Sequence, residues 1–247
     1  MRDRVRGAGD AGASAWARYR VLAAEYRRER VAVRGLVAVS AGVVAAGVLP
    51  WRAGPVVAIV VFVGHTLYER SRHEPLAEWR RGALAERRTG RRLRRLDPVG
   101  HHVLHDRALP GATANLDHLV VGLTGVYAIV SRRWRWGVRV RVEGRRLWVG
   151  RRPAGNVAVA ARAARTVSEG LSKELDHQVA VMPLVAVHGA RVPRGGLEHA
   201  GVALYAVREV AAVIAGEPVI FTSAQVATVA AAAERLFPPM AGPYPAR

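Results

Sequence analysis

Two acidic residues stand where a metal-assisted reaction could use them. Glu86 lies among arginines in a segment with helical spacing, and Asp117 lies between Leu116 and Leu119 in a short apolar run. Carboxylate oxygens are the ligands that Mg²⁺ prefers. On its own, Glu86 fits an ion-paired surface acid better, whereas a carboxylate on an inner strand is rare without a partner. Asp117 is therefore the stronger candidate of the two.

Other catalytic chemistries lack a recognisable arrangement. The chain has no cysteine, and it contains no Gly-x-Ser-x-Gly elbow, Walker loop or His-Glu-x-x-His helix. Nine histidines are scattered along it, and the closest cluster is His101, His102 and His105, with His118 further on. Histidines at strand ends are more often polar surface than zinc ligands, so we expect no histidine metal site. No binding motif for a small-molecule cofactor is evident.

The charge balance points to polyanionic partners. The formal net charge is +19, with 38 basic and only 19 acidic residues among 247. A field this positive favours nucleic acid, either DNA or RNA, or the anionic lipids of a membrane face. The absence of cysteine excludes a disulfide framework and a thiolate zinc site, and it fits a reducing compartment.

The N-terminal quarter of the chain predicts a membrane anchor. Residues 1–30 read as a basic segment, disordered over 1–13 and helical from Ser14 to Arg30, and residues 31–68 read as two short transmembrane helices with a turn at 50–55. Arginines flank both ends of this hairpin, while the turn carries only Arg52. The positive-inside tendency then predicts a multi-pass cell-membrane protein with both termini in the cytoplasm. A buried hairpin of a soluble protein is the alternative.

The rest of the chain predicts one α/β domain. A linker at 69–77 leads to a domain at 78–237, which opens with a helix from Trp79 to Leu96, and residues 238–247 form a tail. Five short β-branched runs follow, at 102–107, 116–121, 126–131, 138–143 and 146–149. The later segments read as a helix at 153–175, strands at 179–187 and 201–206, and helices at 207–215 and 223–237. This order predicts an α/β sandwich on the cytoplasmic side.

Three stretches of this domain together resemble a known family. They are residues 82–86, residues 104–110 running on to the string Ala-Asn-Leu-Asp-His-Leu-Val-Val-Gly at 114–122, and residues 125–134. In order and spacing they are similar to the nuclease-related domain, NERD, a branch of the PD-(D/E)xK nuclease superfamily, over roughly residues 79–190. The resemblance implies a restriction-endonuclease-like sandwich, in which a central mixed sheet is flanked by helices, with an acidic Mg²⁺ site at its rim.

The family pattern assigns roles to four positions, and two of them depart from it. Glu86 matches the helix-borne acid, and Asp117 matches the first strand-borne ligand. Where the family has an acid, one residue and a lysine, this chain has Val130, Ser131 and Arg132. Valine cannot bind a metal, and arginine is too basic to shuttle protons at neutral pH. The resemblance therefore implies vestigial catalytic residues and at most weak Mg²⁺ binding.

Nucleic-acid binding without efficient cleavage is the function that we expect. The phosphate contacts would come from arginines on and after the degenerate strand, namely Arg132, Arg133, Arg135, Arg139 and Arg141. The nearby tryptophans Trp134, Trp136 and Trp148 are expected to pack against the sheet rather than to stack on bases. Two alternatives stay open: an active Mg²⁺-dependent nuclease, and a non-enzymatic scaffold that meets anionic lipids at the membrane.

Overall fold

The computed structural model describes residues 10–71, 75–111, 115–154 and 157–240, which divide between two compact units. One unit is a helical hairpin of residues 17–80. The other joins residues 10–16 with the described residues from Arg81 onward. The α/β unit is thus assembled from two separate stretches of chain. The sequence prediction had placed the whole N-terminal segment apart from it.

Two long helices build the hairpin unit. Helix α1 runs from Ala13 to Val48 without a break, and α2 runs from Ala53 to Ser71. They approach closely at Gly42 and Gly54, where a Cβ on either glycine would lie 2.9 Å from the carbonyl oxygen of the other. The added Cβ atoms would also lie 3.0 Å from the Cβ of Ala58 and of Ala46, respectively. Small residues spaced four apart on both helices therefore set this contact, as in many membrane helix pairs.

The outer surface of the hairpin is apolar. Leu36, Val43 and Val44 on α1 and Ile59 and Val60 on α2 are each more than 60% exposed. Among the described residues, one helical stretch, Val31–Val48, has the length and composition of a membrane span, and the apolar part of α2, Ala53–Tyr68, is shorter. The structure therefore supports one candidate span near the N-terminus instead of the two that the sequence predicted.

A six-stranded mixed sheet forms the centre of the α/β unit. Its order is β1-β2-β3-β7-β9-β8, with antiparallel pairing from β1 to β3, parallel pairing of β3 with β7 and β7 with β9, and an antiparallel edge strand β8. The strands are His101–Arg107, Leu116–Gly122, Gly125–Arg133, Val181–His188, Val202–Ala206 and Leu197–His199 for β1, β2, β3, β7, β9 and β8. The strands β2 and β3 are buried on both faces, which explains their nearly continuous apolar sequence.

Helices cover both faces of this sheet. On one face α4 (Ala158–Leu175) and α6 (Ser223–Leu236) enclose a core that includes Val126, Ala128 and Val130. On the other face the end of α3 (Pro75–Leu93) and α5 (Val210–Gly216) pack on Tyr127 and Ile129. The alternation along β3 thus supplies both cores. The expected restriction-endonuclease-like layering, a mixed sheet flanked by helices, is confirmed.

A small second sheet lies between β3 and α4 along the chain. Its strands are β4 (Val140–Glu143), β5 (Arg146–Val149) and β6 (Arg152–Pro153), all antiparallel. The sequence predicted β4 and β5 but not β6, nor the edge strand β8, because both are too short to carry a periodic signal. The predicted polar linker at 69–77 is helical in its described residues, 69–71 and 75–77.

Candidate functional site

The two predicted acids lie close enough for their charges to interact. Glu86 on α3 and Asp117 on β2 are both buried. Burial raises the pKa of Asp117 to about 6, against the hydrogen bond that its Oδ2 accepts from the Ser131 N–H at 2.6 Å. Burial, and then repulsion from Asp117 and Asp106, raises the pKa of Glu86 well above its usual value. Glu86 Oε2 has no hydrogen-bond partner among the described residues.

Asp106, at the end of β1, is a third acid of this site that the sequence reasoning missed. It is buried, and its charge raises the pKa of both Glu86 and Asp117. Its backbone takes a left-handed conformation, with φ of 54°. Asn115, two residues before Asp117, donates its side-chain amide to Asp106 Oδ1. Both residues belong to the stretches that carry the family resemblance, so the signal was present but was read only at Asp117.

Residues 10–16, here called the N-terminal strap, cover this acidic group. Ser14 donates to Asp106 twice, from its backbone N–H to Oδ2 at 2.7 Å and from its hydroxyl to Oδ1 at 2.6 Å, and its side chain is almost fully buried. A Cβ on Gly12 would lie 2.9 Å from the carbonyl oxygen of Ala83 and 3.3 Å from Glu86 Oε2. The backbone of Gly12 therefore passes directly over the helix that carries Glu86.

Two further contacts hold the strap. A Cβ on Gly90 would lie 2.7 Å from the Cβ of Ala11, so that only glycine at position 90 leaves room for it. The guanidinium of Arg87 lies 4.9 Å from the centroid of the Trp16 ring, within the range of a cation–π contact. We predicted disorder for residues 1–13, and this is wrong for residues 10–13. Residues 1–9 lie outside the described residues.

Val130 and Arg132 on β3 have opposite environments. Val130 is buried in the apolar core on the α4 side of the sheet. Arg132 is half-buried, and its positive charge lowers the pKa of both Glu86 and Asp117, against the larger effect of burial. A permanently charged guanidinium thus supplies part of the positive charge that two carboxylates require.

The acids of this site are engaged by groups of the protein itself. Among the residues that the structure describes, no group of three His, Asp or Glu side chains is placed to hold a metal. Both carboxylate oxygens of Asp106 already accept hydrogen bonds from Ser14. Val130 offers no oxygen, and Arg132 brings a positive charge towards the acids that a cation would need.

A chain of buried polar side chains fastens α3 to the sheet. His105 Nδ1 lies 2.9 Å from His118 Nδ1, and Ser131 Oγ lies 3.5 Å from His118 Nε2 and 2.8 Å from Thr89 Oγ1. Thr89 Oγ1 in turn lies 2.9 Å from His188 Nε2. Burial lowers the pKa of His105 and of His188 to about 4, so both rings are neutral at physiological pH.

The four histidines that lie near each other in the sequence have different surroundings in the structure. His118 also hydrogen-bonds to the backbone of Glu86, and burial lowers its pKa well below the usual value. His101 bonds instead to Thr124 at 3.1 Å, and His102 is exposed. The four histidines therefore do not form one site. His105 and His118 contact each other, and His118 also contacts the helix that carries Glu86.

The predicted phosphate-binding arginines differ in their exposure to solvent and in their contacts. Arg133, Arg135 and Arg139 are exposed, and Arg132 is half-buried beside the acids. Arg141 is engaged on the small sheet, where it pairs with Glu143 and donates to the carbonyl oxygen of Gly150 at 2.6 Å. Arg132 and Arg133 are the last two residues of β3, Arg135 and Arg139 follow them in the chain, and Arg141 belongs to a separate hairpin.

One of the three tryptophans is not a packing residue. Trp134 is partly buried against the core, and Trp148 is half-buried below the guanidinium of Arg141. Trp136 is 83% exposed, against the expectation that it packs on the sheet. The sequence gives no signal for this, because the exposed position lies in a turn where the strand alternation has ended.

Comparison with known protein families supports the domain assignment. Residues 81–188 match the family model of the nuclease-related domain, NERD. The match begins near the middle of α3 and ends with β7, so it includes Glu86, Asp106, Asp117 and the degenerate pair on β3. No curated protein and no solved structure matches the chain. The family match and the mixed sheet flanked by helices identify residues 81–188 as a nuclease-related domain.

Proposed function

We propose that the chain is a membrane-anchored nucleic-acid-binding protein whose nuclease-related domain has lost metal-dependent cleavage. The observation that carries this proposal is the state of β3. Val130 is buried among apolar side chains where the family has an acid, and Arg132 directs a fixed positive charge to Glu86 and Asp117. A site that balances its own carboxylates in this way has little need of a cation.

The arginine at the position of the family's lysine is a poor proton carrier. Cleavage of a phosphodiester needs a group that takes up a proton near neutral pH close to the attacking water. Arg132 stays protonated at any physiological pH. Asp117, with its pKa raised to about 6, is the side chain best suited to proton uptake, but one of its carboxylate oxygens is held by the Ser131 N–H. Arg132 therefore cannot replace the lysine of the family pattern in proton transfer.

Binding is served by the exposed arginines. Arg133, Arg135 and Arg139 present their guanidinium groups to solvent beside Arg132. Guanidinium groups bind phosphate oxygens with paired hydrogen bonds. Each phosphate contact releases counterions from the nucleic acid, so that affinity falls steeply with salt.

The test is binding and cleavage measured on the same samples of the full chain in detergent micelles. Labelled DNA and RNA are mixed with the wild type, with Asp117→Asn and with the double variant Val130→Asp, Arg132→Lys, each in Mg²⁺, Mn²⁺ or EDTA. We expect salt-sensitive binding by all three proteins and no cleavage by the wild type. Cleavage by the wild type that disappears with EDTA and with Asp117→Asn would show an active nuclease and refute the proposed loss of activity. Absence of salt-sensitive binding would refute the proposed function itself.

We further propose that the hairpin unit enters and leaves the membrane at the same face. The stretch Val31–Val48 is apolar and mostly exposed, which suits a lipid environment. A single crossing would place residues 10–16 and residues 81–240 on opposite sides of the bilayer, although Ser14 binds Asp106. The chain must therefore return through α2. At 1.5 Å per residue the two apolar stretches are only about 27 and 24 Å long, short of the roughly 30 Å hydrocarbon core.

Single-cysteine variants test this arrangement, because the natural chain has no cysteine. Position 51 in the turn of the hairpin and position 145 in the small sheet are labelled in intact cells with a membrane-impermeant maleimide. We expect position 145 to be protected, which places the α/β unit in the cytoplasm. Labelling of position 51 would show that the turn reaches the outside, and its protection would show a hairpin that dips into one leaflet. Labelling at position 145 would contradict the cytoplasmic orientation.

A further inference from the structure

A cleft at the carboxyl end of the parallel strands is separate from the acidic group. It has a volume of about 530 Å³, and its walls include Arg92, Trp136, Gly189, Arg191 and Arg208. It lies where β7 and β9 end and where the turn after β3 begins. Ligands of open α/β sheets bind beyond the carboxyl ends of the strands, and volumes of 300–1,000 Å³ are typical of their pockets.

The charge of this cleft has one sign. Of the described residues that line it, three are arginines and none is acidic. The arginines come from three separate places, α3, the loop after β7 and the end of β9, and their convergence is a product of the fold. The positive charges of Arg88, Arg92 and Arg133 also help to lower the pKa of His188, after burial, so these groups surround the end of β7. The Nε of the exposed Arg208 donates to the carboxylate of its half-buried neighbour Glu209 at 3.2 Å, a weak pair near the surface.

Backbone hydrogen bonds hold the wall of the cleft that carries Trp136. The Trp134 N–H donates to the His188 carbonyl at 3.0 Å, the Gly137 N–H to the Gly189 carbonyl at 3.0 Å, and the Arg191 N–H to the Val138 carbonyl at 2.7 Å. Gly189 has φ of +83°, and a Cβ there would lie 2.4 Å from the carbonyl oxygen of Trp134. The backbone on both sides of Trp136 is thus fixed while its ring remains 83% exposed. A large aromatic ring held in solvent beside a cleft is a ready stacking surface.

We propose that this arginine–tryptophan cleft binds single-stranded nucleic acid, with an unpaired base stacked on Trp136 and the adjacent phosphates held by Arg92, Arg191 and Arg208. The inference rests on the proposed nucleic-acid-binding function and specifies its substrate class. A duplex keeps its bases paired and stacked inside, so it could use the arginines but not the ring. Stacking on an aromatic side chain contributes about 1–3 kcal/mol per base. The single strand is therefore the form that uses both features of the cleft.

The test compares strands and variants in one assay. The full chain in detergent micelles is titrated into a fluorescent 15-nucleotide single strand and into the duplex of the same length, and affinity is read by anisotropy. We expect the wild type to bind the single strand more tightly. Trp136→Ala should weaken single-strand binding about tenfold and duplex binding less than about twofold, by the stacking contribution above. Trp136→Phe should recover part of the lost single-strand affinity, and Arg191→Ala should weaken the binding of both the single strand and the duplex.

Matched controls and competing outcomes make the result decisive. Trp51→Ala removes another exposed tryptophan, in the turn of the hairpin, and Arg162→Ala removes an exposed arginine on α4, and neither should change binding. Equal weakening of single strand and duplex by Trp136→Ala, or no weakening, would overturn the cleft proposal and leave the proposed binding function standing. If the wild type binds nucleic acid in plain detergent micelles but not in micelles that also contain phosphatidylglycerol, the cleft prefers lipid head groups instead. Failure of the wild type to bind any nucleic acid would overturn both proposals.

Discussion

The bond between Ser14 and Asp106 predicts how firmly the N-terminal strap is held. Ser14→Ala keeps the backbone N–H but removes the hydroxyl that donates to Asp106 Oδ1 at 2.6 Å and accepts from Asn115 at 3.2 Å. A hydrogen bond to a charged group contributes about 1.5–3 kcal/mol when its partner is buried. We therefore expect a loss of about 2 kcal/mol, which raises the fraction of molecules with an open strap about 30-fold.

Thiol labelling measures this opening directly. A cysteine introduced at Ala15, which is 2% exposed, is the single thiol of the chain and reacts only when the strap opens. Ser14→Ala should raise its labelling rate about 30-fold, in proportion to the opening equilibrium. A cysteine at Ala128, fully buried in β3, reports opening of the whole sheet and should show no such change.

A second serine in the first turn of a helix supplies the control. Ser223 opens α6 and is exposed, so Ser223→Ala should leave the labelling rate at position 15 within about twofold. A rate at position 15 that does not respond to Ser14→Ala would refute the reasoning, because the hydrogen bond to Asp106 would then not hold the strap. An equal rise at positions 15 and 128 would show that the strap opens only when the whole unit unfolds.

Three further perturbations have definite outcomes. Burial raises the pKa of Asp117 from 3.8 to about 6, so wild-type stability falls as the pH rises between these values. At about 1.4 kcal/mol per pH unit, Asp117→Asn should be more stable than the wild type by about 3 kcal/mol at pH 8 and by much less at pH 4.5, as measured by chemical unfolding at both pH values. An advantage that is the same at both pH values would contradict this. Gly189→Ala forces a side chain against the Trp134 carbonyl and should lower the melting temperature several degrees further than Gly144→Ala, which meets a similar positive φ but open space. Equal melting temperatures of the two variants would show that the Trp134 contact yields without cost. Gly54→Val should separate α1 from α2 and raise the rate of amide hydrogen exchange over residues 42–58. Gly47→Val should not, because a Cβ at Gly47 meets nothing within 4 Å. Equal exchange rates in the two variants would mean that the glycine contact does not hold the hairpin.

Much of the fold follows from local sequence patterns. The β-branched runs that became β1, β2, β3 and β7 and the helices α4 and α6 were located to within a few residues, because each carries a strong period and clear breakers. The resemblance implied a central mixed sheet flanked by helices, but the pairing order of its strands was not predicted. Local pattern alone does not decide it, since parallel pairing of β3 with β7 joins strands about fifty residues apart.

Only the part of the site that lies in the strings resembling the family could be predicted from the sequence. Glu86 and Asp117 lie within recognisable strings, and the structure brings their charges together. Asp106 joins them because β1 pairs with β2, and Ser14 joins them from a stretch that looks structureless in sequence. Neither contact leaves a local signal, because each depends on residues that are 11 or more positions apart in the chain. The vestigial catalytic role of Glu86 and Asp117 stays a prediction.

The two-part α/β unit has a consequence for how this protein is made. The strap leaves the ribosome about ninety residues before Asp106, and the whole hairpin unit is synthesised between them. Closing so long a loop is an entropic cost that is met only once β1 exists to receive Ser14. Until then the strap cannot cover Glu86, Asp106 and Asp117, because its contact residue Asp106 has not yet joined the sheet. A membrane that captures the hairpin early would bring both ends of that loop to one surface, and the lipid bilayer would then act as a template for closing the site.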